Sequence, residues 1–311
     1  MHAPLHLGDL FLEPCLKINP VIYNINPEKG MRVLITGGAG RLGYDVVKDC
    51  LAAGYTVRAF DLPQVNWSHL EELGVETYKG DITKLEMVNE VCKGVDAVIH
   101  LAALLPPRTE TSRDLTQLIN VQGTANLLKS INKNTRIVFA SSIATYGVTA
   151  AETPPIKETH PQVSHSNYAE SKIQSERIVK QSGNPYSILR VAPVSVADLL
   201  ELPETVAYRA DQRVECVFGE DAAYAFMACL EEKKNEVYNI ASGSSWQMIG
   251  KEYLDRFYGA LGVEVEPNYP KEYTDVDWYD TSKSRHLGYQ RTSFNKFEER
   301  LVAIGEELGL R

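Results

Sequence analysis

The chain has 311 residues, 44% of them hydrophobic and 23% charged, with a formal net charge of −9. That length carries one large α/β unit or two closely packed ones. The acidic balance weighs against nucleic acid or an anionic membrane as a partner, and no apolar run reaches the length of a membrane span.

Residues 1–30 carry scattered prolines (Pro4, Pro14, Pro20, Pro27) and no periodicity. A basic start followed by an apolar run is missing, so the segment does not read as a secretory signal. It is set apart as an N-terminal extension without an assigned role. Five cysteines (Cys15, Cys50, Cys92, Cys216, Cys229) are widely spaced, with no CxxC pair and no histidine cluster. The expectation is reduced thiols in a cytoplasmic protein, with no metal site.

From Met31 onward, strand and helix signals alternate. Arg32–Thr36 is a short β-branched run closed by glycines. A helix is predicted at Asp45–Ala53, stopped by Gly54, then strands at Thr56–Asp61 and Val75–Tyr78. A helix near Leu85–Cys92 precedes a strand at Ala97–Ala102; further strands follow at Arg136–Ser142 and Tyr186–Val191. Long amphipathic patterns lie at Asp114–Ile131 and Asn167–Gln181. In the first, Leu115, Leu118, Ile119, Leu127, Leu128 and Ile131 recur at helical spacing, and a core-facing stripe explains them. After Val191 the pattern loosens. A helix at Asp221–Glu232 and a strand at Val237–Ala241 precede a mixed region, Gly243–Arg311.

Unalternating apolar strands separated by helices predict a parallel sheet covered on both faces, a Rossmann-type doubly wound α/β fold. The expected division is a dinucleotide-binding part at 31–190, to which 214–242 returns. A smaller α/β C-terminal part, 191–213 with 243–311, would bind substrate.

Residues 36–43 read TGGAGRLG. Gly38, Gly40 and Gly43 fit G-x-G-x-x-G; Gly37, Gly40 and Gly43 fit G-x-x-G-x-x-G. Glycine serves the tight strand-to-helix turn, the close approach of a pyrophosphate, and close helix–strand packing. The helix N-terminus then offers N–H groups to phosphate. Gly37, Gly40, Arg41, Leu42 and Gly43 are the candidate contacts. Asp61 ends the next strand, at the distance where a carboxylate accepts from adenosine ribose hydroxyls. It would repel a 2′-phosphate, so NAD is favoured over NADP. Asp81 and Ile82 after the third strand are placed for adenine. Leu101, Ala102 and Ala103 allow close approach after the fourth. His100 is read as an ordinary strand-end histidine.

Tyr168 and Lys172 lie four apart in a helical pattern, hence on one face. An ammonium beside a phenol stabilises phenolate, which can exchange a proton with a secondary alcohol. Ser142, at the end of the fifth strand, can hydrogen-bond the reacting oxygen.

These motifs, in this order, resemble the extended short-chain dehydrogenase/reductases, in particular the NAD-dependent epimerase/dehydratase group that includes UDP-galactose 4-epimerase. GDI at 80–82, VIHLAA at 98–103, Asn120-Val121-Gln122-Gly123-Thr124, SSIATYG at 141–147, YAESK at 168–172, LR at 189–190, VYNIASG at 237–243 and DTSKSRHLGY at 280–289 carry the likeness. It implies that Ser142, Tyr168 and Lys172 are catalytic, that Lys172 also holds the nicotinamide ribose, and that Asn120 lies near the cofactor. It also implies a homodimer built through the two long helices.

The chain departs from the group in two places. Ile143 and Ala144 stand where nucleotide-sugar 4,6-dehydratases carry an acid pair. The connection from Arg190 to the Asp221 helix is short and lacks the motifs that clamp a nucleotide. Arg108, Arg209 and Arg213 are the candidates for binding a substrate carboxylate or phosphate. The expected function is an NAD-dependent oxidoreductase or epimerase acting on a secondary hydroxyl of a sugar or sugar-derived substrate. The alternatives are a dehydrogenase of a small non-nucleotide substrate (a uronate or hydroxy amino acid), and a catalytically silent NAD-binding regulator. Such regulators generally lose the Tyr/Lys pair, which this chain keeps.

Overall fold

The computed structural model describes residues 30–197 and 206–311. Seven strands form one sheet: β1 Arg32–Thr36, β2 Thr56–Asp61, β3 Glu76–Lys79, β4 Ala97–His100, β5 Arg136–Ser142, β6 Tyr186–Val191 and β7 Glu236–Ile240. Every pairing is parallel, in the order β3-β2-β1-β4-β5-β6-β7. This is the expected Rossmann-type doubly wound sheet. Val33, Leu34, Ile35, Val98, Ile99, Ile188 and Leu189 are wholly buried. That is why these strands read as continuous apolar runs rather than alternating ones.

The strand order reverses between β1 and β4, which opens a crevice beyond the strands' C-terminal ends. The glycine-rich run follows β1, Asp61 ends β2, Leu101–Ala103 follow β4, and Ser142 ends β5. The topology therefore brings separate sequence motifs to one edge of the sheet.

Three expectations need correction. The helix after β1 begins at Arg41 rather than Asp45. The fourth strand ends at His100, two residues early, leaving Leu101 and Ala102 outside the ladder. The long helix predicted at Asp114–Ile131 is three pieces: α-helix Arg113–Thr116, a π-helical turn Gln117–Gln122, and α-helix Gly123–Ser130. The wider π turn shifts the phase of the apolar stripe. Leu127 and Ile131 reach the core, while Leu115 and Leu118 remain exposed. Asn167–Gln181 is helical over its expected bounds, with the Ser166 hydroxyl accepting from Ala169 N at 3.1 Å as its N-cap.

A second apolar cluster gathers Trp246, Phe294, Phe297, Leu301, Tyr253, Leu254 and Phe218. The Trp246 ring meets Phe294 edge-on at 4.9 Å. Burying each such side chain contributes roughly 1.5–3 kcal/mol. Two short ladders flank this cluster: Val194–Ser195 with Val217–Phe218, and Arg213–Val214 with Met248–Ile249. The extension at 1–30, apart from Gly30, lies outside the described residues, as does Cys15. Among the described residues no helix is long and apolar enough to cross a membrane.

Candidate active site

The loop between β1 and its helix can accept no side chain at its closest approaches. Gly37 has φ +74°, and a Cβ there would lie 2.8 Å from Ala102 N. A Cβ on Gly43 would lie 2.0 Å from the Gly37 carbonyl oxygen. The helix starting at Arg41 has no side-chain cap and no acid in its first turn. Its N-terminal dipole end therefore faces the crevice unneutralised. Asp61 closes the adjoining side: Oδ2 accepts from Ala39 N at 3.1 Å and Oδ1 from Leu62 N at 2.8 Å. Burial raises its pKa, and these backbone donors oppose the rise. A glycine cradle, an uncapped helix end and a carboxylate one strand away fit a dinucleotide without a 2′-phosphate.

Ser142, Tyr168 and Lys172 meet beside this cradle. Ser142 ends β5, and its hydroxyl accepts from Ala144 N at 3.1 Å, fixing the turn that follows. The Tyr168 phenol is buried beside Ser142; burial pushes it up to about 12, Ser142 opposes this, and the Asp275 carboxylate adds to it. Lys172 Nζ donates to the Ala140 carbonyl at 2.7 Å and sits 5.7 Å from the Tyr168 ring centre. Burial brings its ammonium down to about 8, against the pull of Glu176.

A buried polar network anchors this cluster from below. Glu176, one turn after Lys172, accepts from Ser141 Oγ at 2.6 Å and from Arg190 Nε and Nη2 at 2.9 and 2.8 Å. Arg190 Nη1 donates to the Tyr146 hydroxyl at 3.0 Å, which donates to Asn239 Oδ1 at 2.5 Å. Helix, β5, β6 and β7 are thereby cross-linked just beneath Ser142. Arg190 was visible in the sequence only as part of an LR dipeptide.

Other predicted site residues are placed differently. Asn120 spends its amide on protein: Nδ2 donates to the Leu104 carbonyl and Ser171 Oγ, and Oδ1 accepts from Leu104 N at 2.7 Å. It latches the segment after β4 onto the helix bearing Tyr168. Asp81 Oδ1 caps Thr83 N at 2.8 Å, and Ile82 is buried. Arg213 is held by Asp277, at 2.5 and 2.9 Å, and by the carbonyls of Thr149, Ala150 and Glu152. Arg209 pairs with Asp211, donates to the Lys271 carbonyl and covers the Tyr273 ring at 4.4 Å. An acid of this chain already fills each fork. Arg108 is exposed and makes no ion pair among the described residues.

Two features were not foreseen. His165 Nε2 lies 3.4 Å from Asp275 Oδ2. Glu110 accepts from Asn167 N and Tyr168 N at 3.0 and 3.1 Å. One ties the start of the Tyr168 helix, the other the residue before its cap, to a segment more than fifty residues away, which spacing alone does not reveal.

Parallel sheet, glycine cradle and Ser/Tyr/Lys cluster together define a dinucleotide-binding protein of the short-chain dehydrogenase/reductase kind. The model of the NAD dependent epimerase/dehydratase family matches residues 33–241. The chain belongs to that family, and NAD is its cofactor class. It is 33% identical over 170 residues to a UDP-glucose 4-epimerase from Lacticaseibacillus casei, covering 52% of this chain and 50% of that one. It is 33% identical over 160 residues to a 3 beta-hydroxysteroid dehydrogenase/Delta 5-->4-isomerase from Mycobacterium tuberculosis, covering 48% and 42%. The chain thus spans about half the length of the curated relatives it matches. The structure of a UDP-glucose 4-epimerase with UDP-glucose from Thermotoga maritima superposes with a TM-score of 0.78 at 22% identity, covering 90% of this chain and 100% of that one.

Proposed function

We propose that this chain exchanges a hydride and a proton at a secondary hydroxyl of a sugar or sugar-derived substrate. One arrangement carries the reading: the Tyr168 phenol is buried beside Ser142 while Lys172 lies over the same ring, at the crevice bordered by the glycine cradle. When bound, NAD supplies the hydride acceptor and, in its oxidised form, a positive charge.

Gly37, Gly40, Arg41, Leu42 and Gly43 would hold the pyrophosphate, and Asp61 the adenosine ribose. Asp81 and Ile82 would border the adenine, and Leu101, Ala102 and Ala103 the ring system along β4. Tyr168 takes the alcohol proton, or returns it in the reverse direction, and Ser142 orients the reacting oxygen. Lys172 lowers the cost of the phenolate and binds the nicotinamide ribose. The region around the Trp246 core would close over the substrate. The names of the relatives, sugar-nucleotide epimerases on one side and a hydroxysteroid dehydrogenase on the other, fit a shared chemistry at a secondary hydroxyl.

Two measurements test this. NADH formation should appear with NAD and a suitable alcohol and vanish in Tyr168→Phe. Release of tightly held NAD on denaturing freshly purified protein would favour an epimerase; its absence would favour a dehydrogenase that exchanges cofactor each turnover.

A further inference from the structure

Residues 281–297 read TSKSRHLGYQRTSFNKF, with four lysines and arginines, one histidine and no acid, in a chain of net charge −9. Three of those cations, Arg285, Arg291 and Lys296, border one surface cavity of about 460 Å³, with Ser244, Ser245 and Ser282 beside them. We propose that this cavity binds a small dianion, inorganic phosphate or a phosphate ester, at a site separate from the Tyr168 crevice. None of Ser142, Tyr168, Lys172 and the glycine cradle borders it.

The fold pairs the neighbouring cations but not these. Lys283 meets Glu236, His286 lies 3.0 Å from Glu232, and Arg300 meets Glu220. Arg285, Arg291 and Lys296 are exposed and make no ion pair among the described residues. Arg291 lies over the Tyr224 ring at 3.4 Å and gives Nε to the Gly288 carbonyl at 3.2 Å, which fixes the guanidinium and leaves it without a carboxylate. Like charges around one cavity repel, and a bound anion removes that repulsion. Guanidiniums, an ammonium and hydroxyls are also the donors from which phosphate oxygens accept.

The acids do not cancel this charge. Among the described residues Asp280 is the one acid on the border. Its Oδ1 accepts from Ser282 N at 2.9 Å, and Arg285 acts on it without closing an ion pair. Glu215 and Asp221 are buried and spent on the wall. Glu215 takes Gly243 N, Gln247 Nε2 and Tyr279 N at 2.7, 2.9 and 2.8 Å; Asp221 takes Arg291 N and Thr292 N at 3.1 and 2.9 Å. Burial raises the Glu215 pKa to about 7 and that of Asp221 to about 6, so Glu215 carries only part of its charge at neutral pH. All five donor residues border the cavity, so the same bonds hold its wall in place. A wall fixed beforehand loses less entropy when the site fills. The helix Phe294–Glu307 starts at this wall, capped by Ser293 and with no acid in its first turn, so its free N–H groups add to the positive side.

The test titrates inorganic phosphate and phenyl phosphate calorimetrically into the full chain at low ionic strength, with NAD in excess to keep the glycine cradle filled. A dissociation constant of about a millimolar or tighter is expected for at least one probe. Arg285→Gln/Lys296→Gln should weaken it at least about tenfold, and Arg291→Lys should keep more affinity than Arg291→Gln. Lys283→Gln/Arg300→Gln, which removes two charges outside the border, should stay within about twofold. Urea midpoints close to wild type confirm that these surface variants fold. Tighter binding of phenyl phosphate than of phosphate marks an ester as the ligand class; equal binding marks the free ion. Failure of both probes to bind by about 10 mM, undiminished binding in Arg285→Gln/Lys296→Gln, or equal weakening in the two double variants overturns the proposal. No arm depends on turnover, so anion binding and hydride transfer stand or fall separately.

Discussion

Lys172 sits one helical turn beyond Tyr168, its ammonium 5.7 Å from the centre of the phenol ring and tied to the Ala140 carbonyl of β5 at 2.7 Å. One lysine thus fixes both the helix and the strand that supply the site. Burial holds both groups toward their neutral forms, the phenol near 12 and the ammonium near 8. At neutral pH the phenol is therefore neutral while Lys172 stays largely charged, and further positive charge beside the phenol lowers the cost of ionising it.

Tyr168→Phe should lower kcat by about 10²–10⁴-fold while NAD affinity stays within a few-fold, because the phenol oxygen moves a proton and does not hold the dinucleotide. Lys172→Ala should weaken both. Steady-state kinetics beside NAD titration by fluorescence separate the two effects. A Tyr168→Phe enzyme retaining most of its activity would remove the phenol from the chemistry.

Selectivity for NAD should rest on Asp61. Its carboxylate is fixed by Ala39 N and Leu62 N, so it cannot swing aside for a 2′-phosphate. NAD should bind at least about tenfold more tightly than NADP, and Asp61→Ala should erase most of that ratio. Parallel titration of both cofactors checks this; equal affinities in the wild-type protein would exclude Asp61 from the ribose site.

Much of the fold was legible because the central strands are buried on both faces. The bounds of β1, β2, β5 and β6 match the apolar runs that glycine, proline or polar residues close. The helix Asn167–Gln181 was equally plain, with a serine cap before it. The π turn at Gln117–Gln122 was not, since its residues are ordinary helix formers and the packing of neighbours selects the wider turn. Charge partners were hidden for a different reason. Arg213 and Asp277 are 64 residues apart, so an isolated arginine read from sequence looks available when the fold has already used it.

Arg213→Ala should cost about 3 kcal/mol of stability. The side chain of Asp277 is 1% exposed, and it accepts from Thr149 Oγ1 and Trp278 N as well as from Arg213. Removing the guanidinium leaves a buried carboxylate without its counter-charge. Urea unfolding should show the loss, and Arg213→Ala/Asp277→Asn should recover part of it. A loss of substrate affinity with unchanged stability would return Arg213 to the substrate site.

Acid should destabilise the fold through His100. The Thr124 hydroxyl donates to the Asn120 carbonyl, so it accepts from His100 Nε2; the Thr36 hydroxyl accepts from Ala102 N, so it donates to His100 Nδ1. Every position on the neutral ring is satisfied, and burial pulls its pKa down to about 3. With the folded value below the unfolded value of about 6.5, the unfolded chain binds the extra proton in that window. Stability should therefore fall as pH drops below about 6.5, by on the order of 1 kcal/mol per unit from this group. Urea midpoints of wild type and His100→Gln between neutral and mildly acidic pH isolate the term. A difference between the two proteins that does not change with pH would show that His100 ionises freely in the folded state.

The last expectation concerns the two helices that carry Asn120 and Tyr168. Leu115 is 40% and Leu118 46% exposed on the outer side of the first, where the π turn rotates them away from the sheet. Between the C-terminal ends of the two helices runs a groove bordered by Leu128, Ile131 and Ile178. Nothing in a single chain requires leucines to face water there, whereas a symmetric pairing of the two helices with their copies would bury them. We propose that the protein is a homodimer through this face. Sedimentation at micromolar concentration should give a dimer, and Leu118→Glu should give a folded monomer, because a buried charge without a partner costs several kcal/mol at an interface. A wild-type monomer at that concentration, or an undisturbed dimer in Leu118→Glu, would place the contact elsewhere or remove it.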